Sequence, residues 1–146
     1  MHGKPSTIRS STTGDAAVEG LLHGLIAGAI MGSYVVVAGL IIRAASGRLL
    51  STLAAMLGVG PMRVVLGHFA MAAFYGVIWG VLVRYLFGRL SFPSWAWGLV
   101  YGGVLWAIST VPLPAGEGLP FVVSGGAHLV FGVSLGLLSG HSQAPV

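Results

Sequence analysis

Hydrophobic and polar positions along this chain fall into long blocks. Residues 1–19 are rich in Ser and Thr and hold Lys4, Arg9, Asp15 and Glu19. Residues 20–42 then contain no Asp, Glu, Lys or Arg, and the same is true of 64–83, 90–116 and 118–146. A helix of about 20 apolar residues, rising about 1.5 Å per residue, crosses a hydrocarbon layer about 30 Å thick. Each charge-free block supplies one such helix, and the pattern predicts four, over 18–43, 62–87, 94–111 and 120–138. The expected fold is therefore all-α: an integral membrane four-helix bundle over 18–140, with a polar tail at 1–17 and a short tail at 141–146.

The connections carry their own signals. Between the first two helices, Leu49, Leu50, Leu53, Met56 and Leu57 recur at helical spacing, which predicts a short amphipathic helix lying in the interface. Gly58 and Gly60 would end it, and Pro61 suits the first turn of the second helix. Phe92-Pro93 leads into the third helix, where Trp95 and Trp97 are placed as an interfacial belt. Pro112, Pro114, Gly116 and Gly118 make the last connection non-helical, and Pro120 opens the fourth helix.

Small residues form rows within these helices. Gly20, Gly24, Gly28 and Gly32 stand four apart in the first, leaving a groove into which another backbone can settle. The second helix carries His68, Ala72, Gly76 and Gly80, and the fourth carries His128, Gly132, Gly136 and Gly140. Gly20-Leu21-Leu22-His23-Gly24 in the first helix is matched by Gly98-Leu99-Val100-Tyr101-Gly102 in the third. The chain reads as two helical hairpins, parallel copies related by a pseudo-two-fold axis along the membrane normal. That relation places His68 and His128 at similar depth.

Composition narrows the reading and removes alternatives. Hydrophobic residues make up 55% of the chain and charged residues 7%, against about a quarter charged in soluble proteins. Seven basic residues stand against three acidic ones without any basic cluster, so nucleic acid is not an expected partner. The absence of cysteine excludes disulfides, thiolate metal sites and cysteine nucleophiles. Because the first apolar run follows about twenty polar residues and is long, it is expected to remain as an anchor. Lys4, Arg9, Arg84 and Arg89 lie on one side of a four-span layout, and Arg43, Arg48 and Arg63 on the other. That small excess puts both termini in the cytoplasm.

Two intramembrane histidines heading small-residue rows are the candidate ligand set. A b-type haem takes two axial imidazoles from different helices, and a chlorophyll-type pigment takes one, so His68 and His128 are the cofactor candidates and His23 a remoter one. Against this stands the plainer role of interhelical hydrogen bonding, with no cofactor as the leading expectation. Ser33, Ser109, Thr110 and Ser134 are expected to bond to carbonyls of the preceding turn. Trp79, Trp106, Tyr75, Phe74 and Phe131 are expected to pack or face lipid, and Glu117 to be solvent-exposed, with Arg63 within reach of it. No nucleophile, base and acid assemble into a catalytic set, so no enzyme is expected.

The glycine-spaced first helix, Ala54-Ala55-Met56-Leu57-Gly58, His68 with Gly76 and Gly80, Pro112-Leu113-Pro114-Ala115-Gly116, and His128 with Gly132 and Gly136 resemble small bacterial four-helix inner-membrane proteins of unknown function, YagU-like in layout. The resemblance implies a bacterial inner-membrane location and brings no activity with it. The expected function is a non-catalytic accessory subunit of a larger membrane complex, respiratory or photosynthetic, whose partners are the lipid bilayer and other integral membrane subunits. The alternatives are a haem b or chlorophyll-type cofactor protein and a small transporter or channel.

Overall fold

A computed structural model describes residues 12–42, 61–85, 92–110 and 121–142. They form four helices: α1 (Thr13–Ile42), α2 (Pro61–Tyr85), α3 (Ser94–Thr110) and α4 (Phe121–Ser142). Helices α1, α2 and α4 contain apolar spans of 26, 19 and 20 residues, long enough to cross a membrane. Helix α3 has 17 residues, about 25 Å of helix, and falls just short of that length. The described residues form a four-helix membrane bundle. The expected interfacial helix at 44–60 and the 112–118 loop with Glu117 lie outside the described residues.

Two helix ends differ from the expected bounds. α1 begins at Thr13 rather than 18, because Thr12 and Asp15 form a reciprocal cap. The Asp15 N–H donates to Thr12 Oγ1 at 3.1 Å while the Thr12 N–H donates to Asp15 Oδ2 at 2.7 Å, satisfying two N–H groups that the helix itself leaves unpaired. Asp15 also places negative charge at the positive end of the helix dipole. Part of the stretch expected as polar tail is thus the first turn of α1, and the Thr13 hydroxyl meets the Tyr85 hydroxyl at 2.5 Å, joining it to the end of α2. At the other end of the chain, α4 continues to Ser142 instead of stopping at 138.

α1 packs on α2 and α3 on α4, forming two hairpins, and the hairpins join along α1 and α4. α4 is more enclosed than α1 and α2: 39% of an 18-residue apolar stretch of it is buried, against 17% in each of the other two. The core contains Ala27, Ala72, Trp79, Val83, Leu105, Phe131 and Leu135. A strict two-fold would make α2 pack on α3 as α1 packs on α4. Instead, long side chains bridge α2 and α3: the Tyr101 hydroxyl donates to the Tyr75 carbonyl at 2.8 Å, and the Trp79 and Tyr101 rings lie 5.2 Å apart. Trp79 is fully buried, and its indole N–H donates to the Ser139 hydroxyl on α4 at 2.9 Å.

Candidate functional site

Both hairpins are closed by glycine set against backbone. A Cβ on Gly20 would fall on the Gly76 carbonyl oxygen and 3.0 Å from the Gly80 Cα, and one on Gly24 would fall on the Ala72 carbonyl oxygen and 2.8 Å from the Gly76 Cα. The reciprocal positions are as tight, with Gly76 against Gly20 and Gly24, and Gly80 against Ala16 and Gly20. In the second hairpin Gly98 meets Gly132 and Gly136, Gly102 meets His128 and Gly132, and Gly136 and Gly140 meet Ser94. No side chain fits in these seams, because the obstacle in most places is backbone. The small-residue row of α1 therefore faces its own hairpin partner rather than the exterior.

The seams differ in register by one helical turn. Gly20 faces the Gly76 and Gly80 level of its partner row, the third and fourth positions of a row that starts with His68. Its sequence counterpart Gly98 faces Gly132 and Gly136, the second and third positions of a row that starts with His128. Helix α3 thus sits one turn nearer the histidine end of α4 than the sequence repeat implies. The second row holds Gly132 where the first holds Ala72, so the backbones can close at that level, and Gly102 reaches the His128 carbonyl.

That shift separates the two histidines chemically. In the first hairpin Gly28 and Gly32 leave the space in which the His68 ring lies; a Cβ at either would stand 3.8 and 3.7 Å from His68 Nε2. His68 Nε2 sits 3.0 Å from the Gly28 carbonyl oxygen. Since a carbonyl only accepts, this nitrogen donates across the hairpin, and Nδ1 is the nitrogen left over. In the second hairpin His128 turns to its own helix, where Nδ1 donates to the Ser124 carbonyl at 2.8 Å. Its Nε2 is then the nitrogen left over. Both rings are half-buried, and neither second nitrogen has a hydrogen-bond partner among the described residues.

This geometry bears on each residue singled out above. His68 Nε2, the outer nitrogen that would approach a haem iron, is already engaged by Gly28. His128 has its outer nitrogen free, in the orientation that a carbonyl-held ligand histidine adopts. His23 is half-buried on α1, with no hydrogen bond among the described residues. Ser33, Ser109 and Thr110 bond back to the carbonyls of Ala29, Trp106 and Ala107, whereas Ser134 makes no such bond among the described residues. Trp95 is exposed as expected of an interfacial residue, but Trp97 turns inward against the core, its ring edge-on to Phe92 at 6.0 Å. Phe74 is exposed, Phe131 is buried, and Arg63 is exposed.

Several contributors escaped the spacing argument. Gly125 lies beneath the Trp106 indole, 3.2 Å from where its Cβ would stand, and Gly126 lies beneath the Tyr34 ring. This glycine pair seats one aromatic from α3 and one from α1, and so sets how the hairpins meet. Adjacent glycines in an apolar helix were the available signal. Among the described residues no three His, Cys, Asp or Glu side chains gather into a metal cluster. Comparison with family models, with curated proteins and with solved structures finds no match, so the family resemblance rests on glycine and histidine spacing alone.

Proposed function

We propose that the protein is a non-catalytic accessory subunit of a larger membrane assembly, respiratory or photosynthetic in type, in a bacterial inner membrane with both termini in the cytoplasm. The observation that carries this reading is the outer face of α1. Val18, Leu22, Ile26, Ile30, Val37 and Ile41 recur along it at helical spacing, and all are exposed. With the glycine row turned inward, this stripe of branched side chains is the surface α1 offers to lipid or to another subunit. Association through glycine grooves loses its support, because the grooves are filled from within the hairpins. Haem ligation by both histidines loses support too, since His68 spends its outer nitrogen on Gly28.

The test is isolation from native membranes in mild detergent, followed by mass spectrometry and absorbance. The reading expects the chain to travel with other integral subunits, and it expects Ile26→Ser together with Ile30→Ser to release it. A stable, isolated, colourless monomer contradicts it.

A further inference from the structure

The edges of the bundle are closed in different ways. α1 packs on α2, α3 on α4 and α1 on α4, while α2 does not pack along α3. Within each hairpin, glycine sets backbone against backbone, so the two helices cannot part without emptying a close-packed seam. Between the hairpins, α1 lies on α4, with Tyr34 of α1 covering Gly126 of α4. The α2–α3 edge is bridged by side chains. The Tyr101 ring on α3 stands 5.2 Å from the Trp79 ring on α2, and the Tyr101 hydroxyl donates to the Tyr75 carbonyl at 2.8 Å.

That hydrogen bond breaks without damage to either helix. α2 runs unbroken through this level, so the Tyr75 carbonyl also accepts from the N–H four residues on, using its other lone pair. When Tyr101 lets go, no backbone group is left unpaired, and the loss is confined to one hydroxyl. Behind Tyr101 lies Trp79, which is fully buried and donates its indole N–H to the Ser139 hydroxyl on α4. The molecule is therefore two stiff pieces joined along one side and held by side chains along the other.

We propose that the two hairpins move as rigid bodies about the α1–α4 edge, and that Tyr101 on the Tyr75 carbonyl is the latch that keeps the α2–α3 edge closed. Released, that edge opens sideways to the bilayer and uncovers Trp79. Membrane proteins built from two repeats rock one repeat against the other in this manner. The device is independent of the accessory-subunit reading: it needs no partner, and its failure leaves the outer face of α1 as it is.

The test uses the full chain in lipid nanodiscs. Because the sequence has no cysteine, spin labels can be placed on introduced pairs at exposed positions. Phe74→Cys with Val104→Cys spans the α2–α3 edge, while Ile26→Cys with Phe74→Cys and Val104→Cys with Leu129→Cys report on the two hairpins. Pulsed electron–electron resonance then gives the distance distribution of each pair. In the parent background one closed distance is expected to dominate across the edge. A hydrogen bond between membrane helices shifts a two-state balance about threefold or more, so Tyr101→Phe, which keeps the ring on Trp79, is expected to raise a longer cross-edge component by at least that factor. Both within-hairpin distances are expected to stay as in the parent. The proposal is overturned if Tyr101→Phe leaves the cross-edge distribution unchanged, or if the within-hairpin distances lengthen along with it, which would mark a general loosening of the bundle.

Discussion

In the first hairpin an imidazole crosses from one helix to the other, and in the second the matching imidazole stays on its own helix. The rows that lead to them are nearly the same, His-Ala-Gly-Gly on α2 and His-Gly-Gly-Gly on α4 at four-residue steps. What differs is the opposing helix. α1 offers Gly28 and Gly32 beside His68, leaving both room and an accessible carbonyl. α3 closes one turn further along, so Gly102 stands against the His128 carbonyl, and the next turn brings the bulky Trp106 over Gly125. With no space toward α3, His128 finds its acceptor in Ser124. In a duplicated fold, the register of the partner helix decides whether a polar side chain ties two helices together or bonds back to its own.

The largest effect should come from filling the seams, the feature both hairpins share. Gly76→Val and Gly132→Val each drive side-chain atoms into backbone and should destabilise the protein by about 3 kcal/mol in detergent unfolding titrations. Gly67→Val and Gly103→Val, where a Cβ meets nothing within 4 Å, should stay within about 0.5 kcal/mol of the parent. Equal losses at all four positions would mean that helix-wide effects, not close packing in the seams, control the outcome.

Trp79→Phe removes the buried tie between the hairpins, both its hydrogen bond to Ser139 and part of its packing on Tyr101. It should cost about 1.5 kcal/mol in the same titration, less than a filled seam. His68→Leu and His128→Leu probe the contrast between the hairpins themselves. Loss of the cross-hairpin bond at His68 should cost about 1 kcal/mol, whereas at His128, where the bond is to its own helix, the change should be near zero. Reversal of that order would contradict the register difference. The smallest effect belongs to the cap: Thr12→Ala should cost about 0.5–1 kcal/mol and raise hydrogen exchange only in the first turn of α1.

Much of the architecture was legible in the sequence. Charge-free blocks bounded by Arg43, Arg63, Arg84 and Arg89 located the helices, because a hydrocarbon layer leaves so little freedom in span length. The four-residue glycine steps located the seams, but not their owner. Whether α1 turns its row toward α2 or toward another protein depends on three-dimensional closure, which spacing alone does not contain. Thr12-x-x-Asp15 was a readable cap signal within what passed for a polar tail. Gly125 and Gly126 were harder, since their partners Trp106 and Tyr34 lie on other helices, Tyr34 far away in sequence. The one-turn shift of α3 was not readable at all: rows of small residues accept more than one register, and the choice rests on which bulky neighbours fit beside them.

The bundle described here depends above all on each glycine row being closed within its own hairpin. Solid-state NMR in lipid bilayers, on protein with 13C-labelled glycine, tests this through carbon–carbon correlations between Gly24 and Gly76 and between Gly102 and Gly132. Closure within each hairpin predicts that both correlations are present and that they keep their intensity when the labelled chain is diluted into unlabelled protein. Correlations that vanish on dilution would place the seams between molecules, and their absence at both dilutions would contradict the closure itself.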